Sequence, residues 1–351
     1  MGTDPFLGVF LHALGGLAAG SFYIPFKGVK GWRWETYWLL GGLFSWIIAP
    51  WVVSLLTVPG TLEILKAAPR DVLMRSYVFG VLWGIGGLTF GLSMRYLGVS
   101  LGYAIALGFC AAFGTLVPPL FDGTFVQMFS TKAGMVLLAG IGLCLVGIAI
   151  CGQAGVRKER ELPDAEKREA IREFDFWKGV WVAIFAGVMS ACMSYGISAG
   201  KPINDLAIAK GAPSLWQTGP TLIVVLAGGF TTNLIWCLFL HLKNRSGRDY
   251  VAAADGGSIG LNYVLSAIAG VTWYFQFMFY GMGSSRLPES FKFSSWTLHM
   301  AFIIIFSNLW GFAFHEWRGS GSRTRQTIIG GLIALVISTI VIGYGNSLGQ
   351  P

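Results

Sequence analysis

Charge is what this sequence lacks most. Of its 351 residues only 12% are Asp, Glu, Lys or Arg, 54% are hydrophobic, and the mean hydropathy is +0.63. Water-soluble domains carry about 25% charged residues, so half that share excludes a soluble globule and points to an integral membrane protein. Enzyme signatures are missing too: there is no Walker A loop, no HExxH, no GxSxG and no Cys/His cluster at metal-ligand spacing. The string Gly84-Ile85-Gly86-Gly87 lies inside an apolar run with no strand before it, so it is no nucleotide loop, and any transport draws on something other than ATP bound by this chain. The five cysteines (Cys110, Cys144, Cys151, Cys192, Cys237) all fall in apolar runs and read as buried free thiols. No basic segment precedes the first apolar run, which therefore reads as a membrane helix and not a cleaved signal peptide.

What the sequence has is long apolar runs. A bilayer core needs about 20 such residues per helix, and ten runs meet this: 6–26, 36–58, 76–95, 99–120, 133–152, 177–199, 214–241, 259–283, 292–315 and 326–346. The expected fold is an all-α membrane protein of about ten transmembrane helices. One hydrophilic segment, 155–176, divides it into a first five-helix half (1–154) and a second (177–351). The loops after odd-numbered runs hold 17 of the 25 Lys and Arg residues. Basic residues collect on the cytoplasmic side, which places the 155–176 connector in the cytoplasm and both termini outside. The net charge of +8 is accounted for by this membrane asymmetry and needs no nucleic-acid partner. An odd number of spans per half inverts the second half relative to the first, as in many secondary transporters. Sequence repetition supports this: at a shift of 190, Gly80, Val81, Trp83, Gly91 and Leu97 meet Gly270, Val271, Trp273, Gly281 and Leu287.

The candidate functional residues concentrate at 270–304, two apolar runs broken once by charged residues. Trp273, Gln276 and Tyr280 lie at i, i+3, i+7 and share a helix face. Lys292, Trp296 and His299 lie at i, i+4, i+7 on the next run. His12, in the first run, shares a face with Gly16, Ala19 and Tyr23; it is either a packing histidine or a sugar or proton contact. Ionisable groups within spans are costly and mark function, and an unperturbed imidazole titrates at about 6.5, near neutral pH. Asn233 reads as a group bonding one helix to another. Glu35, Arg95, Arg286 and Glu289 sit near run ends, where charged side chains reach the interface. No Asp or Glu lies at the middle of any run, which argues against a carrier of metal ions or organic cations, and no deep Arg or Lys pair awaits an anion. Aromatic faces, amides and imidazole suit a neutral polyhydroxylated solute, whose hydroxyls exchange hydrogen bonds while rings cover its C–H face.

Several strings, in order, carry a resemblance over nearly the whole chain: FYIPFKGVKGWRWETYW (22–38), WGIGGLTFGLSMRYLGVSLG (83–102), GTLVPP (114–119), SACMSYGISAGKPI (190–203), the segment from Trp273 to Met300, and HEW (315–317). On these the chain resembles the L-rhamnose–proton symporter family, within the drug/metabolite transporter superfamily. The resemblance implies a ten-helix bacterial inner-membrane carrier of two inverted five-helix halves. It would import L-rhamnose or a related monosaccharide with a proton by alternating access, with no cofactor beyond the coupling proton. The sugar would be touched by Tyr23, Trp83, Trp273, Gln276, Tyr280, Trp296 and His299, and the proton would sit on Glu289, His299 or His12. The chain departs from the family at Lys292, where members tend to be acidic, and at Gly87, where they carry Asn. Two other readings are an uncoupled or differently coupled carrier of the superfamily, expected to show flux without proton movement, and a membrane sugar sensor, expected to bind without flux.

Overall fold

In a computed structural model, residues 3–349 are described except 98, 122, 162–174 and 255. Ten long helices account for the ten apolar runs: α1 (Pro5–Ser21), α2 (Trp34–Thr57), α3 (Arg70–Leu97), α4 (Val99–Leu116), α5 (Lys132–Glu161), α6 (Phe176–Ala199), α7 (Gly219–Asn244), α8 (Ile259–Ser284), α9 (Ser294–Ala313) and α10 (Ser322–Leu348). Nine spans among the described residues are long and apolar enough to cross a membrane, and α8 is not among them. At 26 residues it is about 39 Å long, enough to cross, but Asn262, Ser266, Thr272 and Gln276 interrupt its apolar sequence. The long helix with uncharged polar residues spread along its length is thus the one bearing most of the candidate site. Among the described residues there is no strand.

The helices pack through small residues. With lipid as solvent, close backbone approach replaces the hydrophobic drive between helices. A Cβ at Gly80 of α3 would fall 2.0 Å from the Val225 carbonyl oxygen of α7, and one at Gly270 of α8 would fall 2.2 Å from that of Gly41 on α2. The antiparallel pair α5 and α10 meshes likewise, Gly140 against Ile342 and Gly147 against Leu335 on one helix, Gly331 against Cys151 and Gly345 against Leu137 on the other. At the end of that pair Glu161 accepts hydrogen bonds from the Gly321 amide (2.8 Å) and the Thr324 hydroxyl (2.7 Å), capping the start of α10. The helical residues Gly155–Glu161 of the hydrophilic segment therefore extend α5; residues 162–174 lie outside the described part. All five cysteines are free, and four are buried.

Helix neighbours form a regular scheme. α1 packs on α8 and α9, α6 on α3 and α4, α2 on α7 and α8, α7 on α2 and α3, and α5 on α10. α1 runs antiparallel to α8, since Gly8 meets Gly283 and Gly15 meets Gln276, and parallel to α9, since Gly16 meets Phe302 and Gly20 meets Ser307. α6 likewise runs antiparallel to α3 (Gly179 beside Leu97) and parallel to α4 (Gly187 beside Phe109, Ser194 beside Gly114).

Candidate functional site

A cavity of about 420 Å³ enters the bundle on the side where α6 and α8 end and α7 and α9 begin. Its walls carry Ser194, Lys201, Asn204, Asp205, Gln217, Ser284 and Glu289, and it reaches in to Tyr280. The size is right for a small polar solute. Two ion pairs stand in its wall: Lys201 with Asp205 at 2.9 Å, and Lys292 with Glu289. Lys292 precedes α9, which starts only at Ser294. The helical spacing that would put it on the His299 face does not extend back that far, and the side chain turns to Glu289 instead. Glu289 itself is 63% exposed.

Below the cavity floor lies a tier of rings from three helices. Tyr280 of α8 meets His12 of α1 edge-on at 5.4 Å, His299 of α9 at 5.3 Å and Trp296 of α9 at 5.6 Å between centroids. Gly283, one turn along α8, makes room for His12: a Cβ there would lie 3.0 Å from its Nε2. Trp296 is anchored through its indole N–H, which donates to the Cys110 carbonyl at 3.0 Å, and Gly114 leaves space for the ring. Both histidines are buried, and neither nitrogen of His12 nor Nδ1 of His299 has a hydrogen-bond partner among the described residues. Leaving a buried polar group unpaired costs about 1–3 kcal/mol, so three such nitrogens in one tier mark a place built for something other than packing.

About two turns deeper along α8 is a second tier, almost wholly aromatic. Trp273 stacks on Phe22 at 4.5 Å and meets Trp46 at 4.9 Å, Trp38 at 5.1 Å and Trp83 at 6.4 Å. Phe277 joins the tiers, its ring 5.4 Å from that of Trp83. The Trp38 indole N–H donates to the Asn233 side-chain oxygen at 3.0 Å, so Asn233 links α7 to α2.

The seven sugar-contact candidates thus fall into groups. Tyr280, Trp296 and His299 share the upper tier, and Trp83 and Trp273 the lower. Gln276 is buried on α8 toward α1, its backbone carbonyl against Gly15. Tyr23 is 42% exposed and packs on Phe22 and Phe26. The helix breaks at Phe22 and resumes over Tyr23–Phe26; at this break Phe22 takes the inward position against Trp273 and Tyr23 is left exposed. Of the proton candidates, His12 and His299 share the upper tier and Glu289 stands at the cavity rim. Trp38, Trp46, Lys201, Asp205 and Gln217 were not singled out by sequence. The tryptophans sit in a helix whose spacing is irregular, and the three polar residues come from segments that no periodicity connects. No group of three or more His, Cys, Asp or Glu side chains placed to hold a metal occurs among the described residues.

Residues 1–348 match the family model of the L-rhamnose–proton symport protein. An L-rhamnose–proton symporter of Cronobacter sakazakii is 38% identical over 342 residues, and that of Citrobacter koseri 36% identical over 341, each match covering 97% of both chains. That of Escherichia coli O8 is 36% identical over 343 residues with the same coverage. A match of this extent, on a bundle of membrane-crossing helices, is that of a transporter and not an enzyme: the chain belongs to the L-rhamnose–proton symporter family.

Proposed function

We propose that this chain imports L-rhamnose, or a closely related neutral monosaccharide, together with a proton across the bacterial inner membrane. The single observation that carries the reading is the upper tier, where two buried histidines with unpartnered nitrogens flank one tyrosine below a polar cavity. Imidazole can hold a proton near neutral pH, and the tier supplies aromatic and hydrogen-bonding groups with no fixed charge against a neutral sugar. The proton sits on His299 or His12; Glu289, salt-bridged and exposed, stays at the entrance.

Transport proceeds by alternating access of two inverted halves, 1–154 and 177–351. Supporting this, exchanging each helix for the one five places later turns the α1–α8 pair into α6–α3 and α1–α9 into α6–α4, with the same relative directions. By the basic-residue bias the 155–176 connector is cytoplasmic and both termini are periplasmic. The cavity then faces the periplasm, the side from which sugar and proton arrive. Protonation favours the sugar-loaded carrier, and by reciprocal linkage sugar favours protonation, so an inward proton gradient drives uptake.

Purified protein in liposomes with an alkaline interior tests this. Accumulation of labelled L-rhamnose, with alkalinisation of an unbuffered exterior when sugar is added, is the expected result. Sugar equilibration without proton movement, or saturable binding without flux, would overturn it.

A further inference from the structure

Trp46 sits at the centre of the lower tier, and none of the described residues accepts a hydrogen bond from its polar atom. Its indole is 1% exposed and its Nε1–H has no acceptor. The neighbouring rings of Trp38, Trp83, Trp273 and Phe230 stand 6.2, 6.0, 4.9 and 6.4 Å away. Two other indole donors of these tiers are met, Trp38 by Asn233 and Trp296 by the Cys110 carbonyl; those of Trp83 and Trp273 belong to rings only partly buried. A buried donor without an acceptor requires an explanation.

The backbone around it supplies a second, independent observation. Phe44–Ile48 is a π-helical turn within α2, a local widening that occurs most often at functional sites. In a regular α-helix eight residues turn through about 80° beyond two full turns, so Trp46 would point well away from Trp38. The wider turn carries Trp46 round to the Trp38 face, where the two rings meet. Gly42 leaves the space, since a Cβ there would lie 2.5 Å from the Trp46 ring.

The third observation is depth. Trp46, Trp83, Phe230 and Trp273 all lie close to the midpoints of their helices, the level at which secondary transporters bind substrate. Trp83 and Trp273 are only partly buried at that depth. One and two turns beyond Trp83, at Gly87 and Gly91, no atom lies within 4 Å of where a side chain would start. The tier therefore borders open space.

We propose that Trp46 is a specificity-determining residue of the sugar site, its Nε1–H donating a hydrogen bond to one hydroxyl or the ring oxygen of the monosaccharide. The π-helical turn is the device that aims it. The ligand reaches the N–H when the Trp83 or Trp273 ring swings off its edge, and those rings then cover the sugar's apolar face. The assignment rests on the sugar-transport reading given above and adds to it a residue, a depth and a hydrogen-bond polarity.

The test is a cycle between protein and ligand. Binding of L-rhamnose and of its monodeoxy analogues to purified wild type and Trp46→Phe is measured by calorimetry. Trp46→Phe weakens L-rhamnose binding by about fivefold to tenfold, and for one analogue, the one lacking the acceptor, the substitution has no further effect. A merely structural Trp46 lowers thermal stability without such coupling to a single hydroxyl. Equal affinities for every sugar in the two proteins, or an equal penalty for all analogues, would overturn the proposal. If Trp46→Phe does not fold, 3-benzothienylalanine placed at 46 by suppression keeps the bicyclic shape and removes only the N–H, with the same two outcomes. Failure of wild type to bind L-rhamnose at all would instead remove the sugar reading on which the proposal stands.

Discussion

The two tiers on α8 lie about two turns apart and are built on different plans. The lower draws on α2, α3, α7 and α8, and exchanging each helix for the one five places later returns the same four helices: Trp83 and Trp273 trade places, and α2 trades with α7. The upper draws on α1, α8 and α9, and the same exchange leads to α6, α3 and α4. There the helices meet through Gly86 beside Ser190, Gly187 beside Phe109 and the Ser194 bond to the Gly114 carbonyl, and there is no histidine in α3, α4 or α6. A tier shared evenly between the halves can present one surface to a ligand from either side of the membrane. A titratable tier that has no counterpart under the exchange would give the two sides of the cycle different proton demands. On the proposed reading, sugar recognition falls chiefly to the symmetric tier and coupling to the asymmetric one.

The largest effect separating them is expected at His299. His299→Gln keeps a hydrogen-bonding side chain of similar reach but cannot carry a proton. Two pH units across the membrane are worth about 2.7 kcal/mol per proton, or about a hundredfold accumulation at one proton per sugar. We expect accumulation in the substituted protein to fall to equilibration, while exchange of labelled for unlabelled sugar across the bilayer persists. Accumulation at the wild-type level would move the proton away from His299, with His12→Gln the next variant to measure.

A smaller effect dissects the tiers through the glycines that hold them. A Cβ at Gly16 would lie 2.3 Å from the Cβ of Phe302, where α1 crosses α9 at the histidines; one at Gly270 would lie 2.2 Å from the Gly41 carbonyl oxygen, where α2 crosses α8 beside the tryptophans. Overpacking of this kind costs about 1–3 kcal/mol, so both Gly16→Ala and Gly270→Ala should lower the melting temperature. Their functional signatures should differ. Gly16→Ala is expected to reduce protons moved per sugar with KM changed little, and Gly270→Ala to raise KM severalfold with the ratio intact. Identical signatures in paired uptake and pH recordings would dissolve the distinction between the tiers.

Much of this was readable from the chain, for identifiable reasons. The ten helices follow from runs long enough to cross a bilayer, because lipid forces each spanning backbone to satisfy its own hydrogen bonds. Their ends were less legible. α3 starts at Arg70 and α5 continues to Glu161, since a helix leaving the membrane can keep its charged turns. The Tyr280, Trp296 and His299 cluster was accessible from helical spacing. Trp46 was not, because a π-helical turn shifts the face of every residue beyond it and no spacing rule for a regular helix anticipates that. The cavity wall was not either: Lys201, Gln217, Ser284 and Glu289 come from four segments and meet only in the folded bundle. Tyr23 shows the opposite case, a helical spacing carried across the break at Phe22.

The smallest effect is expected at Lys292, the residue that departs most visibly from the family pattern. Were it on the His299 face, a cation there would disfavour the imidazolium, and its removal would change coupling strongly. Instead Lys292 pairs with Glu289 at the rim, and the carboxylate's 63% exposure leaves both charges screened. Pairs of this kind contribute about 0–1 kcal/mol. Lys292→Gln should therefore shift KM for the sugar by less than about threefold, leave protons per sugar unchanged, and weaken in effect as salt is raised. A large loss of coupling would bring the ammonium group into the histidine tier during the cycle, which requires the start of α9 to wind one turn further back than Ser294. Accessibility of a cysteine at 292 to a membrane-impermeant reagent, with and without sugar, would detect that winding directly. Reactivity unaffected by sugar, together with intact coupling, keeps the proton chemistry in the upper tier and the charged residues at its door.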